Sequence, residues 1–303
     1  MVKTMITVII PSFNSASTIE HVFEKLDNQS RKDLISEIVV VDSSNDRETR
    51  PIIARHGSDK IKVIDAGIGV MPAIGRNIGA AHANGEILAF LDADAFPAYN
   101  WIENIAKVYE NGCIVGGGGI NIADFQKNNL IVLAQYYLQF NEFISSGSKS
   151  IKKFVPSCNM FCSKELFQKS GGFPEIRAAE DVLFGLKVSE IANLWFIPEI
   201  VVYHIFRLEW KKFLRNQILL GKYVSIYRKN HYDSFIYKGI MPIIFLPIFL
   251  LIKLFRIVWR ISQTGWCNIY RFIISVPVFL VGLLFWSIGF IKGCLNNNES
   301  PKR

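Results

Sequence analysis

The sequence predicts an α/β fold built on a mostly parallel sheet, followed by a basic amphipathic helix and C-terminal hydrophobic helices. Three observations carry this. Short β-branched runs alternate with helical patterns over the first 200 residues. The acidic residues of that region fall just after strands. Beyond Tyr203 the chain turns basic and acquires long apolar runs.

Residues 5–10 (Met-Ile-Thr-Val-Ile-Ile) read as a buried strand, and 17–29 follow with Ile19, Val22, Phe23 and Leu26 at helical spacing. Glu37-Ile-Val-Val-Val41 is the second strand, closed by a polar turn over 42–46, and residues 61–64 are the third. A Gly-rich loop then leads to a helix opened by Pro72 and running to about Ala83. Proline suits that position because its missing N–H would find no intrahelical partner there. Glu86-Ile-Leu-Ala-Phe-Leu91 is the fourth strand, and 101–109 is a helix. Strands apolar throughout, with helices between them, imply a parallel sheet covered on both faces. Ligands of such sheets bind beyond the carboxyl ends of the strands. Asp42, Asp92 and Asp94 stand at those ends.

After Tyr203 the pattern changes. Residues 208–223 set Trp210, Phe213, Leu214 and Ile218 among Lys211, Lys212, Arg215 and Lys222, a basic amphipathic helix suited to a headgroup region. Residues 272–291 hold no charge and are long enough to cross a bilayer at about 1.5 Å per residue. Residues 235–255 are also apolar, with Lys238 and Lys253 near the ends and Pro242 and Pro247 inside. Snorkelling lysines would allow a second span. Arg256, Arg260 and Arg271 between the two runs offset the positive-inside signal, which leaves open a hairpin lying partly in the interface. The expected organisation is a folded domain over 1–206, a juxtamembrane segment over 207–234, two hydrophobic helices over 235–291 and a polar tail over 292–303.

Charge follows the same division. From Tyr203 onward there are 15 Lys/Arg against three acidic residues, a net of +12; with +8 for the whole chain, the preceding 202 residues carry −4. Basic residues interleaved with apolar runs point to an anionic membrane surface and not to nucleic acid. The five cysteines form no Cys-x-x-Cys pair, and none has a completing His nearby in sequence, so they read as reduced thiols of a cytosolic setting. Residues 5–10 are too short for a signal-peptide core, so the front domain is expected to stay in the cytoplasm.

The strongest local signal is Phe90-Leu-Asp92-Ala-Asp94-Ala-Phe-Pro97. Two carboxylates two residues apart, just beyond a buried strand, supply oxygen ligands for a hard divalent cation, which in turn neutralises a diphosphate. Turn capping alone also produces Asp-x-Asp. The pair, however, belongs to an ordered set: Ile9-Ile-Pro-Ser-Phe-Asn14, Val39-Val-Val-Asp42-Ser-Ser-Asn-Asp46, Gly75-Arg-Asn-Ile-Gly79, Asp92/Asp94 and Glu180-Asp181. Over about residues 4–220 this set resembles the family 2 glycosyltransferases.

That resemblance implies a GT-A fold, a nucleotide-sugar bound across the strand ends, and inversion at the anomeric carbon. Pro11, Phe13 and Asp42 then fall in the donor site, with Asp42 accepting from a uracil edge. Arg76 steadies the diphosphate or the Asp pair, Asp92 contacts ribose or diphosphate, and Asp94 holds Mn²⁺ or Mg²⁺. Asp181 takes the role of catalytic base, between the acceptor-side segments Val155-Pro-Ser-Cys-Asn159 and Gly171-Gly-Phe-Pro174 and an apolar helix. Outside that context it reads as a first-turn charge on a helix dipole. His204, after the run Val201-Val-Tyr, stands where related enzymes place a metal or diphosphate ligand; by itself it is a polar residue ending a strand. Arg207 and Arg215 are further diphosphate candidates, or lipid-facing charges.

The chain also departs from the family pattern. Ser15 replaces a common Glu, and Asp-Ser-Ser-Asn-Asp replaces Asp-Asp-Gly-Ser. No Gln-x-x-Arg-Trp motif is present, which argues for single-sugar addition over processive synthesis. The expected activity is transfer of one sugar from a nucleotide-sugar to a membrane-associated, lipid-linked glycan. Expected partners are the donor, that acceptor and membrane lipids, at the cytoplasmic face of the cell membrane. A nucleotidyltransferase is the alternative enzyme, disfavoured by the lack of a Gly-rich, Arg/Lys-bearing phosphate loop after the first strand. A non-catalytic membrane scaffold is disfavoured because Asp42, Asp92, Asp94 and Asp181 are all retained.

Overall fold

The structure, a computed structural model, describes residues 4–295. The part of the polar tail over 296–303 lies outside the described residues. The chain runs β1 (Ile6–Ser12), α1 (Ile19–Asp27), β2 (Ile35–Asp42), α2 (Thr49–Arg55), β3 (Ile61–Asp65), α3 (Pro72–His82), β4 (Ile87–Leu91), β5 (Ala95–Pro97) and α4 (Trp101–Glu110). It continues with β6 (Val115–Ile122), α5 (Leu130–Phe140), β7 (Ser150–Ile151), β8 (Asn159–Ser163), α6 (Lys164–Lys169), α7 (Glu180–Ser189) and β9 (Trp195–His204). The final helices are α8 (Trp210–His231), α9 (Met241–Ile244), α10 (Leu246–Ser262) and α11 (Trp266–Leu295). Every strand and helix read from the first 110 residues is present, its ends within two residues of expectation. The fold is the expected GT-A-like α/β one.

Two compact units divide the chain. The first takes in the chain to Asn121 together with Gly147–His204; the second is Ile122–Ser146 with the chain from Ile205 on.

The first unit holds the sheet, in the order β3-β2-β1-β4-β8-β6-β9-β5 with β7 on β9. β3, β2, β1 and β4 are parallel; β1, β2 and β4 are largely buried, as their apolar runs require, and β3 at the edge is half-exposed. The register sets Ser12 beside Asp42 and Asp42 beside Asp65, so these three residues form a row at the carboxyl edge. Two glycines bring α3 onto β1. A Cβ on Gly79 would lie 2.5 Å from Ile9 Cγ2, and one on Gly75 would lie 3.3 Å from Pro11 Cβ. That close approach seats Arg76, in the first turns of α3, beside the end of β1.

The far side of the sheet is antiparallel: β8 against β4 and β6, and β9 against β5 and β7. Asn159, fully buried at the start of β8, ties this region together. It donates to Gly119 O (3.0 Å) and Ile200 O (2.8 Å) and accepts from Trp101 Nε1 (2.9 Å). A Cβ on Gly118 would meet Ile200 O at 1.7 Å, so only glycine lets β6 pass that close to β9.

The second unit is helical. Val132, Leu133, Tyr136 and Tyr137 of α5 pack with Phe213 of α8, Ile257 and Ile261 of α10, and Phe272, Phe279 and Leu283 of α11. α8 lies backbone-to-backbone along α11. A Cβ on Gly221 would sit 1.9 Å from Trp286 O, and one on Gly289 would sit 2.0 Å from Ile218 O. Small residues allow such approach between helices, the usual device of membrane helix packing. The basic helix read over 208–223 is thus α8, and its buried stripe is Phe213, Gln217, Gly221 and Ser225. α11 is 30 residues, and an 18-residue stretch of it has mean hydropathy 2.3, long and apolar enough to cross a membrane. The apolar stretch 235–255 is divided: a 3₁₀ turn (Phe235–Tyr237), α9, then α10 of 17 residues. Gly239 at φ 57° and prolines in the first turns of α9 and α10 impose the breaks.

Candidate active site

The loops after β1 and β2 are locked together. Asn14, in the left-handed region at φ 51°, accepts from the Asn45 and Asp46 backbone N–H groups (3.0 and 3.1 Å) and donates to Asn45 Oδ1 (2.8 Å). Asp46 in turn caps α2, accepting from the Thr49 N–H at 2.9 Å. Beneath them Asp42 is fully buried. Its Oδ1 accepts from Ser12 (3.0 Å) and Ser44 (2.6 Å), and its Oδ2 from Arg50 Nε (2.7 Å). Arg50 continues into a bidentate contact with Asp65 at 2.7 and 2.8 Å. The Gly67 N–H and Arg50 hold the Asp65 carboxyl below its ordinary range. The Asp42 carboxylate is therefore occupied by protein donors, and Asp65 and Arg50 are the more exposed polar groups of the row. Phe13 projects its ring half-exposed at this edge, and Pro11 lies against Gly75.

Beside this row Arg76 is buried between two elements. It donates to Asp92 Oδ1 (2.5 Å) and Glu180 Oε1 (3.1 Å), and its guanidinium carbon lies 5.7 Å from the centroid of the Phe173 ring. Its Nε is buried without a hydrogen-bond partner. Burial works against this cation, but Asp92 and Glu180 outweigh it and raise its pKa above the ordinary arginine value. Asn77 clamps the acceptor-side segment, donating to Phe173 O (2.8 Å) and accepting from Phe173 N (2.9 Å). Gly171 and Gly172 there take φ of 77° and 69°, and Ala179 takes φ 68° to start α7. Glu180 and Asp181 thereby occupy the first turn of α7, where the helix dipole favours acids. Burial is nevertheless dominant for Asp181. With the neighbouring Glu180 charge, it pushes the carboxyl up to about 7, against the Val182 N–H and Arg76. Burial also raises Glu180, partly offset by Arg76.

The third group forms through β5 and β9. Their antiparallel register sets Ala95 opposite His204, which brings Asp94 Oδ1 within 3.5 Å of His204 Nε2. The donor atoms of Asp92, Cys158 and His204 all lie within 4.8 Å of one another. Burial, then Asp92 and Asp94, hold the Cys158 thiol well above its ordinary pKa. Cys158 and Cys162, spaced in sequence like one helical face, lie at and within a strand and diverge in surroundings; all five cysteines are free.

The structure thus gathers Arg76, Asp92, Asp94 and His204, and it ties Glu180 to the same guanidinium. Glu180 and Cys158 lay within motifs read from the sequence, Glu180-Asp181 and Val155-Pro-Ser-Cys-Asn159, but were given no site role there. Arg50 and Asp65 meet the site only through pairing that no local pattern announces.

Residues 7–171 match the profile described as "Glycosyl transferase family 2". Among curated proteins the chain is 25% identical over 224 residues to Glycosyltransferase AglE of Haloferax volcanii, covering 72% of each chain. It is 23% identical over 240 residues to the pre-mycofactocin glycosyltransferase of Mycobacterium tuberculosis, covering 76% of this chain and about half (48%) of that one. Among solved structures, the mannosyltransferase PcManGT of Pyrobaculum calidifontis, in complex with GDP-Man and Mn²⁺, aligns with TM-score 0.62 at 17% identity. That alignment covers 99% of this chain and 89% of the other. Staphylococcus aureus TarS (residues 1–349) aligns with TM-score 0.55 at 15% identity, over 96% and 90%. At such identities the likeness is one of fold. The family profile, however, spans more than half of the 303 residues, and this protein belongs to glycosyl transferase family 2: it is a glycosyltransferase.

Proposed function

We propose that the protein transfers a single sugar, with inversion, from a UDP-sugar to a lipid-linked glycan at the cytoplasmic face of the cell membrane. One observation carries the proposal: Arg76 bridges Asp92 and Glu180, so the Asp92/Asp94 and Glu180/Asp181 pairs converge at one end of the sheet.

Each role follows from chemistry at that end. The exposed Phe13 ring suits stacking on the base, with Pro11 and the Asp42 row as its floor. Arg76, already balancing two carboxylates, keeps Asp92 oriented toward the donor ribose or diphosphate. Asp94 and His204 offer oxygen and imidazole donors facing each other at 3.5 Å, a set that fits Mn²⁺ or Mg²⁺. When bound, the ion neutralises charge developing on the departing diphosphate. PcManGT was solved with Mn²⁺ together with GDP-Man. Asp181 takes the proton of the acceptor hydroxyl as that oxygen attacks; a carboxyl near 7 is basic enough to accept and ionised enough to act at neutral pH.

The helical unit supports the membrane reading. α10 exposes Ile248, Leu251, Ile252, Phe255 and Trp259, and α11 exposes Ile273, Leu280 and Leu284. Apolar stripes of that extent are covered by lipid or protein, and the net charge of +12 beyond residue 202 favours an anionic bilayer. The test is transfer by Asp181→Asn from a panel of nucleotide-sugars. Donor affinity should survive while transfer slows by about 10²-fold or more. A near-normal rate would hand the role to another residue, Glu180 first.

A further inference from the structure

The helical unit contains cations that no described carboxylate of the unit pairs with. Arg228 of α8 places its guanidinium carbon 5.2 Å from the centroid of the Phe249 ring, 5.9 Å from Tyr237 and 6.0 Å from Phe290. Lys253 of α10 sits 4.7 Å over the Trp286 ring. The two cations share one aromatic cluster, since Phe290 lies 6.1 Å from Phe249 and stacks on Trp286 at 5.5 Å. The described carboxylates of this unit are all engaged elsewhere: Asp124 with Lys127, Glu142 with Arg260, Glu209 with Lys212 and Asp233 with Lys238. Aromatic faces stabilise each cation separately but do nothing for the repulsion between them. An anion does. The same stretch exposes Ile240, Ile244, Ile248, Leu251 and Ile252, so that anion would arrive with an apolar tail alongside.

We propose that Arg228 and Lys253 form a binding site for a lipid-borne phosphate, its head among the cations and aromatic rings and its chain along α9 and the start of α10. The site rests on the membrane association proposed above. Either the phosphate of a lipid-linked acceptor or that of a bulk phospholipid presents this chemistry.

The experiment uses the full-length protein in a neutral, phosphate-free detergent, with saturable binding of radiolabelled ligand as readout. Ligands are a long-chain prenyl monophosphate, phosphatidylglycerol, the prenyl alcohol and inorganic phosphate. Wild type should bind both lipid phosphates; the alcohol, lacking the charged head, and inorganic phosphate, lacking the apolar chain, should each bind about tenfold or more weaker. The doubly substituted R228Q/K253Q should lose a similar factor, R228K/K253R should retain binding, and K212Q should match wild type. Tighter binding of the prenyl phosphate identifies the acceptor's carrier as the source; equal binding identifies bulk lipid; both sustain the site. Unchanged binding by R228Q/K253Q overturns it, as does equal wild-type binding of phosphate and alcohol. That last comparison needs no variant to fold. Transfer to a lipid-linked glycan is measured on the same preparations. Normal transfer with unchanged binding in R228Q/K253Q overturns this site alone, whereas failure of wild type to use any lipid-linked acceptor overturns the proposed function.

Discussion

Arg76 and Glu180, 104 residues apart in sequence, are joined by a 3.1 Å hydrogen bond, and the other terminal nitrogen of the same guanidinium holds Asp92. The side chain of Arg76 is 3% exposed, so water does little to screen these contacts. Arg76→Ala would leave two partly buried carboxylates facing each other without a cation. Breaking a buried pair in this way costs about 3–5 kcal/mol. The expected outcome is a lower thermal midpoint and weakened donor binding, both read on the purified protein. Arg76→Lys should recover only part, because one ammonium cannot reproduce the two-armed contact.

The pH profile follows from Asp181. Its pKa of about 7 in the folded protein lies above the ordinary 3.8, so between those values the folded state keeps a proton that the unfolded chain releases. Its stabilising contribution is full below the unfolded value and is lost as pH rises to about 7. Activity should move oppositely, rising through about 7 as the base becomes ionised. A transfer rate flat from pH 6 to 8, with chemistry limiting, would remove Asp181 from that role. In Asp181→Asn the decline in stability over the same window should become shallower.

The parallel half of the sheet was legible because β1, β2 and β4 are largely buried and carry long apolar runs, with the half-exposed β3 marked by its β-branched residues. Of the candidate site residues on that half, Asp42, Asp92 and Asp94 stood out as carboxylates at strand ends, whereas Phe13 and Arg76 were singled out only through the resemblance to family 2 glycosyltransferases. The antiparallel half was less legible. β6 contains Gly116–Gly119, whose lack of side chains lets it pass close to β9 but erases any apolar alternation. Arg50 was invisible as a partner of Asp42 and Asp65, since α2 is short and its pairing spans three elements. In the helical unit, hydropathy located α11 but not the division of residues 235–262 into separate helices.

Metal dependence is expected to run through Asp94 and His204. Asp94→Ala should abolish turnover and shift the Mn²⁺ titration of donor binding to higher concentration, while thermal unfolding of the metal-free protein stays near wild type. Asp94 is nearly half exposed, so its removal leaves no buried orphan comparable to that of Arg76. His204→Ala should weaken metal binding to a lesser degree than loss of the carboxylate. Full activity in excess chelator would exclude the role for both.

Membrane placement makes a kinetic prediction that needs no variant. If the helical unit holds the enzyme at a bilayer, enzyme and lipid-linked acceptor share a surface, and the rate depends on acceptor density within that surface. Confinement to one plane raises the effective concentration of one reactant before the other. The support is structural: α11 is long and apolar enough to span, α10 turns Leu251 and Phe255 outward, and α8 is fixed along α11 through Gly221 and Gly289. Diluting a lipid-linked acceptor with neutral detergent, at constant total acceptor, should lower the transfer rate in proportion to its mole fraction in the micelles. A water-soluble acceptor bearing the same glycan should show no such dependence and should react more slowly at equal total concentration. Equal rates on the two acceptors at every dilution would mean that the helices anchor the protein without presenting the acceptor to Asp181.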